Sequence, residues 1–188
     1  MSSLDDNALI TTEDLKAYLD MKDSTQDKLL EILINAISTL FDQYTSRNLK
    51  EATYTDLYLD GNGEEIMYLP DWPIGSITSI AEDSVALTEG EDNDYYLYAD
   101  EGYLVRISAV WLKGYKTIKI TYKAGYLTVP KDLQLACMEQ VAYEWQRQKN
   151  RTWGESSKSK GDFNISYIKD DLLSQVKKVL DSYRKMTL

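Results

Sequence analysis

Acidic side chains are the chemistry this chain has most of: 31 Asp and Glu against 21 Lys and Arg, with no histidine and one cysteine. Asp60-Gly61-Asn62-Gly63-Glu64 resembles the centre of a calcium-binding EF-hand loop. Aligning Gly63 with the invariant glycine puts Tyr58 where the first carboxylate belongs and Leu69 where the bidentate Glu belongs, so the stretch reads as a turn. Glu89, Glu91, Asp92 and Asp94, followed by Asp100 and Glu101, have the oxygen ligands of a hard-cation site but no ligand spacing. They read as a solvated acidic loop. A carboxylate pair can also hydrolyse a glycoside, but among so many acids some pair falls close by chance.

Without histidine there is no Ser–His or Cys–His pair and no His/Cys zinc site. Cys137 falls on the apolar stripe of a helix and reads as a small buried hydrophobe. The nine glycines form neither a dinucleotide-binding nor a phosphate-loop pattern. No catalytic residue, metal or cofactor is expected. The net charge of −10 argues against general nucleic-acid binding. No apolar stretch is long enough to cross a bilayer, and no membrane partner is expected.

The elements that would hold these residues follow from periodicity. Thr11 and Asp14 have capping-box spacing, which starts a helix over about 12–20. Ser24 or Thr25 can cap a second helix over about 25–46, with Leu29, Leu30, Leu33, Ala36, Ile37, Leu40, Phe41 and Tyr44 at three- and four-residue spacing. A β-rich region spans about 53–124, and Asp60–Gly63 predicts a hairpin between the runs 53–59 and 65–69. Pro130 suits the first turn of a helix over about 130–148, with Leu133, Ala136, Cys137, Val141 and Trp145 on its stripe. A polar stretch over about 150–163 reads as a mobile loop, and Leu172, Leu173, Val176, Val179, Leu180 and Tyr183 mark a last helix over about 168–185. Trp72, Trp111 and Trp145 sit among apolar neighbours and read as anchors. Trp153, inside the polar loop, either folds back or awaits a partner.

Charge is uneven. Residues 147–188 carry ten bases and five acids, and residues 1–146 carry eleven bases and twenty-six acids. A basic tail on an acidic body fits contact with an acidic partner such as a second copy. It fits equally a solvated helix whose cations favour its C-terminal end.

The order of elements and several short stretches resemble the head-tail connector (adaptor, or head-completion) proteins of tailed bacteriophages and prophages. The stretches are Ile10–Lys16, Leu29–Ala36, Thr45-Ser46-Arg47, Leu69–Ile80, and Ile118–Tyr126 leading to Val129–Leu133 and Ala136. Ser46 stands where such proteins often show Gly, and the acidic stretch 89–101 has no counterpart in the pattern. The resemblance implies an α+β, mainly helical fold: one connector domain over 1–188, a small four-helix bundle with a β-rich insertion between helices 2 and 3. It implies a structural virion protein, not an enzyme, made in the host bacterial cytoplasm and located at the head-tail junction.

About a dozen copies would close a ring by heterologous contacts. The ring would dock on the portal, extend the DNA channel and receive the next head-completion or tail protein, while DNA passes without specific binding. Under this reading Trp153, Phe163, Tyr167, Lys177, Lys178, Arg184 and Lys185 are candidates for the portal or neighbour interface, and Glu89, Glu91, Asp92 and Asp94 for the channel lining. Other readings are a different head-completion or tail-terminator factor and, behind it, a carboxylate-based hydrolase.

Overall fold

The computed structural model describes residues 3–150, 157–160, 163–166 and 172–185. In chain order the elements are α1 (Thr12–Tyr18), α2 (Asp27–Thr45), β1 (Ala52–Gly61), β2 (Ile66–Tyr68), β3 (Ile74–Glu82), β4 (Val85–Ala86), β5 (Tyr95–Tyr98), β6 (Tyr103–Arg106), β7 (Gly114–Ala124), α3 (Lys131–Asn150), β8 (Ser157–Lys160), β9 (Phe163–Ser166) and α4 (Ser174–Tyr183). They fall into two compact units, Met1–Ser46 with Val129–Leu188, and Arg47–Thr128.

The first unit is helical. Thr11 caps α1: its Oγ1 accepts from the Asp14 amide at 3.1 Å and donates to Asp14 Oδ2 at 2.7 Å. The Asp14 carboxylate thus bonds the Thr11 hydroxyl, where the Glu of a full capping box would take the N-cap backbone amide. Thr25 does not cap α2. It turns back on Asp23, its amide donating to Oδ1 at 2.9 Å, and Gln26 occupies the cap position with no side-chain bond. The buried stripe of α2 is Leu30, Ile34, Ile37, Ser38, Phe41 and Thr45. It packs against α3 and α4, which bury Leu133, Ala136, Cys137, Val141, Val176 and Leu180.

Among the described residues of this unit, buried polar groups find partners, as interior polar groups must. Ser38 Oγ accepts from the Leu9 amide at 3.1 Å, and Gln140 Oε1 from the Leu173 amide at 3.0 Å. Tyr44 donates to Asp181 at 2.8 Å and Tyr183 to both oxygens of Asp132 at 2.8 Å, so tyrosine hydroxyls fix α4 along its exposed edges. Residues 157–160 and 163–166, part of which the periodicity assigns to a loop, pair as an antiparallel hairpin. α4 begins at Ser174, six residues after the expected start.

The second unit corrects the expected fold class. It is no minor insertion in a mainly helical bundle: seven strands form a four-stranded sheet (β1-β7-β3-β4) and a three-stranded sheet (β2-β6-β5), both antiparallel. They share a core of Met67, Leu69, Ile74, Ile80, Tyr95, Leu104, Trp111, Ile118, Ile120, Tyr122 and Ala124. The chain is α+β with substantial sheet. β1 and β7 run ten and eleven residues, but Asp56 and Lys116 adopt positive φ within them and shift the register, so the period-2 pattern breaks and each strand reads as shorter than it is.

The hairpin expected at Asp60–Gly63 is also corrected. β1 pairs with β7 and β2 with β6, so this turn carries the chain from one sheet to the other. The Asx geometry is present, with Asn62 Oδ1 accepting from the Glu64 amide at 3.0 Å.

Candidate functional site

Three of the stretches singled out in the sequence converge at one end of the β unit. Residues Arg47 to Lys50 run alongside the end of β7, where Tyr126 donates its amide to Leu49 O at 2.8 Å and its carbonyl accepts from the Glu51 amide at 3.1 Å. Gly125 donates to Pro73 O at 2.9 Å, which ties the Trp72-Pro73 stretch to the same point. Only glycine fits at position 125. Its φ is +101°, and a Cβ there would lie 2.5 Å from Lys50 O.

Arg47 closes this junction. Its guanidinium carbon lies 4.3 Å from the Trp72 ring centroid and 5.5 Å from that of Tyr126, and the residue is 5% exposed. A planar cation between two π faces is attracted by both ring quadrupoles. Asp71, next to Trp72, accepts from the Asn48 amide at 3.2 Å, and Asn48 Nδ2 donates to Tyr54 OH at 2.6 Å. Tyr54 stacks on Tyr122 at 5.0 Å. Burial first, and then the charge of Asp71, pushes the Tyr122 phenol well above its usual range. The assembly is closely packed and sets no nucleophile beside a base. Its chemistry is positional: it locks three chain segments into one rim.

The acidic candidates divide. Asp94 is part of the scaffold: Oδ2 accepts from the Thr88 amide at 2.8 Å, its carbonyl accepts from the Ile107 amide at 3.0 Å, and Oδ1 lies 3.8 Å from Arg106. Arg106 also reaches Glu82 at 3.3 Å, and Glu82 accepts from the Leu112 amide at 2.7 Å. Glu89 gives its carbonyl to Asn93 Nδ2 at 2.9 Å. Glu91 and Asp92 stand exposed at the tip. Among the described residues no group of three or more His, Cys, Asp or Glu is placed to hold a metal ion.

Of the basic candidates, Lys178 and Arg184 are exposed, Lys177 and Lys185 half-buried. Arg184 lies 5.7 Å from the Tyr44 ring, and the Lys185 amide donates to Thr45 O at 2.9 Å. Phe163 opens β9. Trp153 and Tyr167 lie outside the described residues. Cys137 is fully buried, and burial pushes its thiol up to about 12 against a weaker downward pull from the Ser38 hydroxyl, which suits packing and not nucleophilic attack. Arg47, Trp72 and Tyr126 lie in three separate stretches of the sequence, which give no sign that they stack. Their separation of up to 79 positions hides the contact.

The chain is similar to a chain in the neck of a native GTA particle computed with C12 symmetry, at 12% identity and a TM-score of 0.57, covering 100% of this chain and 94% of that one. It is similar to a chain in the neck of an empty GTA particle computed with C6 symmetry (12%, TM-score 0.54, covering 97% and 92%) and to one in the virion of a native gene transfer agent (11%, TM-score 0.55, covering 100% and 95%). No curated protein matches. At these identities the likeness is one of fold, and it spans both units. The model of the head completion protein family matches residues 8–186. The chain therefore belongs to the head completion protein family, whose members are structural virion components and not enzymes.

Proposed function

We propose that this protein is a ring subunit at the head–tail junction: it docks on the portal once DNA is packaged, extends the DNA channel and presents a surface for the next head-completion or tail protein. The observation that carries this reading is the family match over residues 8–186, joined to a fold shared from end to end with chains of a particle neck of C12 symmetry. A closed ring needs two different, complementary faces on each copy. An acidic body with a basic C-terminal part supplies that complementarity. The rim packed around the buried Arg47 suits a part that must keep its shape while neighbours are added.

In the same reading the loop 88–94 faces the channel. Exposed Glu91 and Asp92 repel DNA phosphates and keep the passing duplex from adhering. The protein is made in the host bacterial cytoplasm and ends in the virion.

The test is assembly without this chain. DNA-filled heads should accumulate that neither join tails nor retain their DNA, and adding the purified protein should restore joining. Normal tailed particles formed in its absence would overturn the reading.

A further inference from the structure

The outer face of the β2-β6-β5 sheet carries no charged residue. Register sets Ile66, Val105 and Tyr96 in one row across it and Tyr68, Tyr103 and Tyr98 in the next. Their chain neighbours Met67, Leu104 and Leu97 point the other way, into the core. An antiparallel sheet that shows one face to water normally places polar residues there. Here Tyr68 is 61% exposed, Tyr98 43%, and Ile66 and Tyr96 39% each. The rings are already ordered: Tyr98 stacks on Tyr103 at 4.6 Å, and Tyr68 meets Tyr103 at 5.5 Å. Such a platform has little rotamer entropy left to lose on contact, and contiguous exposed apolar surface of this kind marks an interface.

The rim of this face is acidic. Glu64 and Glu65 lead into β2, and Asp100 and Glu101 form the β5–β6 turn. Glu101 is near enough that its charge, after burial, helps hold the Tyr103 phenol above its usual range. The one base of the three strands, Arg106, is turned inward to Glu82 and Asp94. A fitting partner brings cations on an amphipathic element, and this chain carries one: α4 exposes Lys178 beside Asp181, whose carboxylate takes the Tyr44 hydroxyl, and Arg184 follows it, exposed over the Tyr44 ring. α4 belongs to the region 147–188, where bases outnumber acids ten to five. Lysine and arginine bind both aromatic faces and carboxylates.

We propose that the Tyr68–Tyr103–Tyr98 face of one copy receives α4 and the following turn of a neighbouring copy, with Lys178 and Arg184 set against the tyrosine rings and the acidic rim. This rests on the ring reading and names the two faces that close the ring head to tail.

The test is photo-crosslinking in assembled particles, with p-benzoylphenylalanine in place of Tyr98. The expected product has the mass of two copies, with the new bond mapping to residues 174–185. A two-copy product mapping elsewhere overturns this inference and leaves the ring standing, as does a crosslink to a different virion protein or no crosslink. The ring reading fails separately if electron microscopy of the same particles shows no ring of this chain. As a second measurement, Tyr68→Ser with Tyr98→Ser should keep the native circular dichroism spectrum and lower melting only modestly, by the loss of two ring contacts to Tyr103, while incorporation falls about tenfold or more. Lys178→Glu should do the same, and combining it with Glu101→Lys should recover part of the loss. Normal incorporation of the double tyrosine variant would also overturn the proposal.

Discussion

The Arg47 guanidinium carbon lies 4.3 Å from the centroid of the Trp72 ring, with Tyr126 at 5.5 Å. Segments far apart in sequence are thereby joined through one buried cation. Arg47→Ala should destabilise the protein by about 2–4 kcal/mol, through lost packing as well as lost charge. Arg47→Lys should still cost about 1 kcal/mol, because an ammonium cannot stack as a plane. Urea denaturation checks both, and a lysine variant equal to wild type would refute the stacking account.

Gly125→Ala should cost about 3 kcal/mol or more, since a Cβ would meet Lys50 O at 2.5 Å on backbone pinned from both sides. Poor soluble yield and a lowered melting temperature are the expected readouts.

Ser46→Gly should act in the opposite direction. Ser46 ends α2 in the left-handed region (φ 58°, ψ 34°), its side chain is exposed, and its amide satisfies the carbonyls of the last turn. Glycine at this position should raise stability by about 0.5–1 kcal/mol, read as a higher denaturation midpoint with unchanged slope.

Cys137 makes stability fall with alkali. Its thiol sits near 12 when folded against an ordinary value of 9.0, so the folded state holds the proton more tightly. The contribution is fully present below pH 9 and is lost at up to about 1.4 kcal/mol per pH unit as pH rises toward 12. Cys137→Ala should flatten that part of the stability–pH curve, and native Cys137 should resist alkylation at pH 8 until the protein is unfolded.

Glu91→Gln with Asp92→Asn should slow DNA ejection from otherwise normal particles, because the exposed tip of the loop would no longer repel phosphate. Ejection at the wild-type rate would remove this loop from the channel wall. Asp94 is unsuited to the test, since its carboxylate holds the Thr88 amide.

The helices were legible where a stripe or a cap is local. The Thr11–Asp14 cap can be read within a dozen residues, but of the apolar positions picked out by spacing in α2 only Leu30, Ile37 and Phe41 are buried; the buried stripe is completed by Ile34, Ser38 and Thr45, while Ala36 is exposed. The β unit was under-read for a physical reason. Asp56 and Lys116, at positive φ, interrupt the alternation of the two longest strands, and nothing near Asp60–Gly63 says that its flanking runs pair with β7 and β6 and not with each other. The Arg47 junction is a product of tertiary structure, assembled from positions 47, 72 and 126. The tyrosine face did have a local signal, in the alternation of Tyr95-Tyr96-Leu97-Tyr98 and Tyr103-Leu104-Val105, but only the register shows that its rows align.

The most direct test of the central claim is to mix the purified protein with its cognate portal ring, then weigh and image the complex by native mass spectrometry and electron microscopy. A connector subunit adds a ring of density on the portal's outer face, with an integral number of copies. A folded protein that leaves portal mass and shape unchanged, and that also fails to bind DNA-filled heads, would contradict it.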